Sequence, residues 1–205
     1  MTRSLKKIAL IVSLGTFASK LGGLLRQLII AGAFGVSAAY DAYNYAYILP
    51  GFFLVLLGGI NGPFHNAMVS VLSRKSKDES SYILSGITTI VSLFLIILTI
   101  ILFLFAEQII TIIGPGLSEE IHIIAVQQLK IMSPITIIAG LVGLGFGSLN
   151  SRNQFLIPSI SPLISSVTLI FFIGLFWLQS GNLNPSYEVN LKGGLLLASA
   201  TLLGA

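Results

Sequence analysis

Two cations, Lys20 and Arg26, lie inside the first apolar stretch of the chain, residues 8–31, which otherwise has the composition of a membrane-spanning helix. A cation at bilayer depth costs about 2.5–3.5 kcal/mol on insertion scales, so such charges face a cavity, a partner or the interface. On a helix the two would stand about 9 Å apart along the axis and about 120° apart around it. From those positions they could flank one diphosphate group, the guanidinium as a bidentate donor and the ammonium as a point charge.

The same stretch carries small residues at every fourth position, Gly15, Ser19 and Gly23, and Arg26 shares their face. Such a stripe lets helices approach closely. Ser19 is therefore a lesser candidate for the lining of a polar site. An alternative is that Arg26 reaches the outer interface while Lys20 pairs with a carboxylate on another helix. The sequence leaves both interpretations open.

Four further polar residues are candidates for the same site. Asp41 could balance Arg26, or it could cap the helix that it opens, because carboxylates favour helix N-termini. Asn61 and His65 follow a helix break, where the histidine could bond a sugar, relay a proton or simply pack. Lys130 could enter a cavity or stay near the lipid headgroups. A run of tyrosines at Tyr40, Tyr43, Tyr45 and Tyr47 is typical of an interfacial aromatic belt.

The composition indicates a membrane protein without catalytic machinery. Hydrophobic residues make up 55% of the chain and charged residues 9%, against about 25% charged in soluble domains. With no cysteine and only two distant histidines, no metal-ligand spacing is present, and we expect no metal and no cofactor. Neither a Walker-type loop nor a nucleophile elbow occurs. An ion gradient or membrane potential would have to drive any transport, and nucleic acid is not an expected partner.

The predicted fold is all-α, a polytopic transmembrane helix bundle with five complete spans and a truncated sixth. A span needs about 20 apolar residues. The predicted spans are 8–31, 40–72, 82–106, 121–149, 155–178 and, cut short, 193–205. The last is too short to cross, so we expect residues 1–205 to be one transmembrane lobe of a longer protein.

Basic residues predict the orientation of the bundle. If every span crosses, seven of them fall on one side: Arg3, Lys6, Lys7, Arg74, Lys75, Lys77 and Arg152. The opposite loops hold a single basic residue, Lys192. The positive-inside rule then places the N-terminus in the cytoplasm.

The second span contains two sets of helix-breaking residues, Pro50-Gly51 and Gly62-Pro63. Proline removes a backbone donor and kinks a helix. Broken backbone at membrane depth is tolerated where protein or a watery cavity surrounds it. These four residues are therefore candidate hinges.

Several short motifs, in this order and spacing, resemble one family. They are Ser19-Lys20-Leu21-Gly22 with Arg26, Phe34-Gly35, Asp41-Ala42-Tyr43, Leu49-Pro50, Gly114-Pro115-Gly116-Leu117, Asn153-Gln154-Phe155 and Ile157-Pro158. The chain resembles the MurJ (MviN) family of lipid II flippases, within the multidrug/oligosaccharidyl-lipid/polysaccharide exporter superfamily. The segment Leu49–Phe64 looks like the cyanobacterial branch.

The resemblance implies the N-terminal lobe of a fourteen-helix flippase in the plasma (inner) membrane. Such proteins move lipid II, an undecaprenyl-diphosphate-linked peptidoglycan precursor, by alternating access through a cavity between two lobes. By position, Arg26 matches a cavity arginine, Lys20 replaces another arginine, and Asp41 matches the acid that opens the second helix. Leu54 and Val55 stand near the place where many relatives carry a basic pair, which leaves fewer cavity cations here.

Other functions also fit the residues. A sibling of the same superfamily would export a polysaccharide-lipid or a drug. A protein of another class, a non-transporting membrane scaffold subunit, would pair the charges of the first span with a partner helix. A transporter requires the missing C-terminal lobe, whereas a scaffold does not.

Overall fold

The computed structural model describes residues 5–59, 62–180 and 187–205, and every regular element in these ranges is helical. This confirms the predicted all-α class. The helices are α1 (Leu5–Phe34), α2 (Ala38–Phe53), α3 (Pro63–Leu72), α4 (Lys77–Leu104), α5 (Ala106–Ile113), α6 (Glu119–Met132), α7 (Ile135–Ser151), α8 (Leu156–Ser180) and α9 (Tyr187–Gly204), with a π-helical turn at Leu54–Gly58.

Five stretches of the described residues are long and apolar enough to cross a membrane, as predicted. They are Ala9–Phe34, Ala38–Leu72, Lys77–Leu104, Glu119–Ser151 and Leu156–Leu178. The predicted sixth stretch lies in α9, which begins at Tyr187 rather than at residue 193.

The lipid-facing character of these spans is clearest on α4. Its mean hydropathy reaches 2.9, yet few of its residues are buried, and Leu93, Phe94 and Ile97 are about half exposed. A capping box starts the helix, because Ser76 and Glu79 exchange hydrogen bonds between side chain and backbone. Large apolar side chains exposed around a helix are the surface expected of a protein solvated by acyl chains.

The helix of the second span does not break at Pro50-Gly51, the first of its two predicted positions. Pro50 and Gly51 do not interrupt the helix, because α2 continues through a fully buried Pro50 to Phe53. The N–H of Leu54 then bonds to the oxygens of both Gly51 and Pro50, and the chain widens into the π-helical turn. The break itself follows, where Gly59 and Gly62 adopt extended backbone. The prediction at Gly62-Pro63 is confirmed, since Pro63 is the first residue of α3.

Glycines set how closely the broken span packs on α7. A Cβ at Gly143 would collide with the carbonyl oxygen of Leu57 in the π-helical turn. A Cβ at Gly58 would lie 3.0 Å from the oxygen of Ala139. Small residues at these contacts allow the π-helical turn and α7 to touch backbone to backbone.

A buried amide joins three helices on the other side of the bundle. Gln128 of α6 donates from Nε2 to the oxygens of Ala39 in α2, at 3.2 Å, and Gly194 in α9, at 2.9 Å. Around it lies the main apolar core: Ile124, Leu129, Met132, Ile135, Leu169, Ile173 and Leu197. Helices α1, α2, α6, α8 and α9 all contribute side chains to this core.

Candidate anion-binding cavity

A cavity of about 610 Å³ lies where α1, the broken second span, α7, α8 and the end of α9 meet. Ser19, Gly23 and Arg26 of α1 line one wall. The break contributes Gly58, Gly59 and Gly62, and α8 contributes a group of serines, Ser161, Ser165 and Ser166. The cavity thus combines one cation and several hydroxyls with irregular backbone.

The small residues of α1 determine which way the helix faces. A Cβ at Gly15 would lie 2.7 Å from the Cβ of Ser159, so α8 packs directly against this glycine. One turn on, the hydroxyl of Ser19 donates to the main-chain oxygen of Ser159 at 2.7 Å. Gly23 has open space beside it and lines the cavity. The predicted stripe is therefore a helix contact over its first two members and a cavity wall at its third.

Arg26 continues this face into the cavity. Its side chain is half-buried, and its Nε is buried without a hydrogen-bond partner. Within the described residues no carboxylate forms an ion pair with it, since the ion pairs there are Lys75–Glu79 and Lys192–Glu188. A buried charged donor without a partner costs free energy, which a bound anion would recover.

Two stacked tyrosines support the wall beside Arg26. Thr201 donates its hydroxyl to the oxygen of Leu197 at 2.7 Å, so the Tyr43 hydroxyl is the donor in its 3.0 Å bond to Thr201 Oγ1. The ring of Tyr47 stacks on that of Tyr43 with centroids 5.4 Å apart, and it lines the cavity. The positive charge of Arg26 interacts electrostatically with both tyrosines.

Sequence reasoning missed this role of the tyrosines. Tyr43 is buried inside the bundle, so it is not part of an interfacial belt. The sequence does contain a signal for this arrangement. Tyr43, Tyr47 and Gly51 follow one another at intervals of four residues, so they share one face of the helix. A Cβ at Gly51 would lie 2.7 Å from Cε1 of Tyr47, so the glycine makes room for that ring.

The other predicted residues of the first two spans lie outside the cavity lining. Lys20 is exposed on α1 and is not among the lining residues. Asp41 lies in the first turn of α2, but Ser37 is the N-cap, since its side chain accepts from the N–H of Tyr40 at 3.4 Å. The capping alternative for Asp41 is therefore wrong in detail, although its charge still suits a helix N-terminus.

Two lesser candidates, His65 and Lys130, are also not among the residues that line the cavity. His65 is buried between α3 and α7, with Nε2 3.1 Å from Nδ2 of Asn150, which is a packing role. Lys130 is exposed, with Nζ 6.0 Å from the centre of the Phe103 ring. Asn61 lies outside the described residues.

The π-helical turn contributes an apolar part of the cavity wall. Leu54 and Val55 of the π-helical turn both line the cavity. Among the described lining residues Arg26 is thus the charged one. The site can hold an anion through one guanidinium, assisted by neighbouring hydroxyls.

Comparisons with known proteins show the family of this chain. The family description "Lipid II flippase MurJ" matches residues 30–205. A "Probable lipid II flippase MurJ" of Synechocystis sp. is 50% identical over 204 residues, covering 100% of this chain and 38% of that protein. The "Lipid II flippase MurJ" of Thermosipho africanus is 36% identical over 168 residues, covering 82% of this chain and 34% of that protein.

A solved structure shows the same fold. "Lipid II flippase MurJ, inward closed conformation" superposes with a TM-score of 0.74 at 32% identity, covering 95% of this chain and 40% of that one. This chain spans less than half the length of each of these proteins. The family match, the full-length alignment and the shared fold agree, and the chain belongs to the MurJ family of lipid II flippases.

Proposed function

We propose that this chain forms the N-terminal lobe of a flippase that moves lipid II across the plasma membrane by alternating access. The polar headgroup would pass through the cavity while the polyprenyl tail stays in the lipid. The observation that carries the proposal is the unpaired guanidinium of Arg26 on the cavity wall. The relatives named above, all called lipid II flippases, support the substrate.

A diphosphate fits what the cavity offers. Its oxygens are strong acceptors and can take two parallel hydrogen bonds from one guanidinium. In a site shielded from water such a contact is worth more than at the surface. Tyr47 stands beside Arg26 and offers a hydroxyl donor from the same cavity wall.

Ser19 and Lys20 have different roles in this proposal. The hydroxyl of Ser19 is committed to the backbone of Ser159, so Ser19 positions α1 rather than binding the headgroup. Lys20 lies on the exposed side of α1, where it would meet the headgroup from the second lobe's side. Asp41 would act at the outer end of the path, at the start of α2.

The broken second span is the proposed hinge. Its extended glycines, Gly59 and Gly62, border the cavity, and the π-helical turn precedes them. Transporters often use such discontinuous helices at their substrate sites. A change of angle between α2 and α3 would therefore alter the shape of the site directly.

The proposal also covers the orientation of the lobe in the membrane and the energy source for transport. We propose a cytoplasmic N-terminus, which the basic loops support through the positive-inside rule. An ion gradient or membrane potential, rather than a nucleotide, would drive the cycle, without a bound cofactor. The remaining partner is the C-terminal lobe of the same protein.

Transport of fluorescent lipid II in proteoliposomes tests this function. The full-length protein that contains this chain should move the lipid between leaflets, and the Arg26→Ala variant should not. Lys130→Ala is the matched control, because it removes a cation of the same bundle outside the cavity. Equal transport by the wild type and Arg26→Ala, at equal reconstitution, would contradict the proposal.

A further inference from the structure

A second cationic site lies at the end of the bundle that carries the basic loops. Lys75 lies in the connection between α3 and α4, Lys77 is the first residue of α4, and Arg152 follows the last residue of α7; all three line one cleft of about 370 Å³. Roughly 75 residues separate the two loops in the chain, so their meeting is a property of the fold. Neighbouring residues of the cleft are Leu72, Ser73, Ser80 and Ser151.

The cleft is held by ordered backbone. The buried hydroxyl of Ser80 donates to the oxygen of Leu72 at 3.2 Å, which ties the start of α4 to the end of α3. Arg152 is fixed by a turn in which Asn153 adopts a φ of 60° and the N–H of Gln154 bonds to the oxygen of Leu149 at 2.9 Å. The three cations therefore project from anchored positions.

The charges in the cleft are poorly balanced. Lys75 approaches Glu79 at 3.9 Å, in an exposed ion pair of the kind that contributes little to stability. Within the described residues, Lys77 and Arg152 form no ion pair. The hydroxyl of Ser151 is already bonded to the oxygen of Ser148, so the cations dominate what the cleft can recognise. An anion in this cleft would relieve the mutual repulsion of three positive groups.

We infer that this cleft binds the phosphate group of an anionic phospholipid headgroup. The positive-inside rule explains why basic residues lie on this side of the membrane, but it does not require distant loops to converge on one cleft. One guanidinium and two ammonium groups lining the same cleft suit a phosphate, and basic pockets between helices at the cytoplasmic surface bind lipid headgroups. The site does not touch the cavity of Arg26. It depends on the proposed function only for its assignment to the cytoplasmic leaflet.

Thermal unfolding in a neutral detergent tests the site without a transport assay. Dioleoyl phosphatidylglycerol should raise the melting temperature of the purified full-length protein by several degrees, and dioleoyl phosphatidylcholine should not. Arg152→Gln should abolish most of that rise. Arg74→Gln removes the same charge from the same end of the bundle without lining the cleft, and it should keep the rise.

The remaining outcomes are also informative. If inorganic phosphate alone produces the rise in the wild type but not in Arg152→Gln, the cleft is a phosphate site whose ligand is soluble rather than lipid, and the headgroup assignment is wrong. If both variants lose the rise equally, or the wild type shows none, no specific site exists. If Arg152→Gln fails to fold, Lys77→Gln takes its place and should show the same selective loss.

Discussion

Ser19 and Ser159 join α1 to α8 through a hydrogen bond of 2.7 Å from the serine hydroxyl to a main-chain oxygen. Arg26 follows Ser19 by seven residues, which is about two helical turns, so the bond also fixes the direction of the guanidinium. The contact explains how a lone cation is kept on the cavity wall instead of rotating toward lipid.

The charge at Arg26 should matter more than its size. We expect Arg26→Lys to retain part of the function, Arg26→Ala to lose most of it, and Arg26→Glu to be worse still, because a carboxylate repels the diphosphate. Loss of charged hydrogen bonds worth about 1.5–3 kcal/mol corresponds to roughly 10- to 150-fold weaker binding. Complementation of a flippase-depleted strain at matched expression measures the order. Rescue by Arg26→Glu as good as by Arg26→Lys would argue against an anionic substrate.

Tyr47→Phe should reduce lipid II transport while leaving stability unchanged. The ring and its stacking on Tyr43 remain, and only the hydroxyl on the cavity wall is lost. The expected loss is that of one neutral donor, about 0.5–1.5 kcal/mol, or a few-fold in binding. Transport and melting temperature are measured on the same preparation. An unchanged transport rate would exclude the hydroxyl as a headgroup contact.

Tyr43→Phe should show the opposite pattern. This hydroxyl bonds to Thr201 inside the bundle rather than facing the cavity. Its removal should lower the free energy of unfolding by about 1 kcal/mol, with little direct effect on substrate binding. Chemical denaturation in detergent gives the comparison with Tyr47→Phe.

Two glycines of the same helix should respond differently to alanine. Gly143→Ala should destabilise the fold by about 1–3 kcal/mol or more, because its Cβ would strike the carbonyl oxygen of Leu57. Gly145 has open space around it, and Gly145→Ala should be neutral or slightly stabilising, by up to about 1 kcal/mol. Melting temperatures that fall equally in both variants would show that the π-helical turn does not pack on α7 as described.

The Lys20→Ala variant distinguishes two possible roles of Lys20 in the first span. If Lys20 meets the headgroup from the side of the second lobe, its removal should weaken transport and spare stability. If it acts only at the lipid surface, the variant should behave like Lys130→Ala. Complementation by the two variants, side by side, distinguishes these results.

Much of the fold could be predicted because membrane spans depend on local composition. The uncharged run of α4 and the proline at the start of α3 were sufficient to place those helices. The prediction that Pro50 interrupts the helix of the second span was wrong. A proline leaves one carbonyl of the preceding turn without its helical bond, yet here the helix continues past Pro50 to Phe53 before the π-helical turn begins at Leu54. Whether a helix widens or breaks depends on the packing around it, which local sequence does not contain.

The candidate site was predicted only in part. The spacing of Gly15, Ser19, Gly23 and Arg26 was enough to place the arginine on the packed face of α1. The position of Tyr47 required knowing that Tyr43 turns inward to Thr201, 158 residues away in the chain. Contacts between distant segments of this kind leave no periodic pattern.

Nε of Arg26 has no hydrogen-bond partner, and this has a consequence for the protein before substrate binds. A small anion from the solution, such as chloride, could satisfy the same donor. Under the proposed function, a lipid-linked diphosphate would compete with such an anion for the site. Its apparent affinity should therefore decline as chloride concentration rises, in a competition that acts at this one guanidinium.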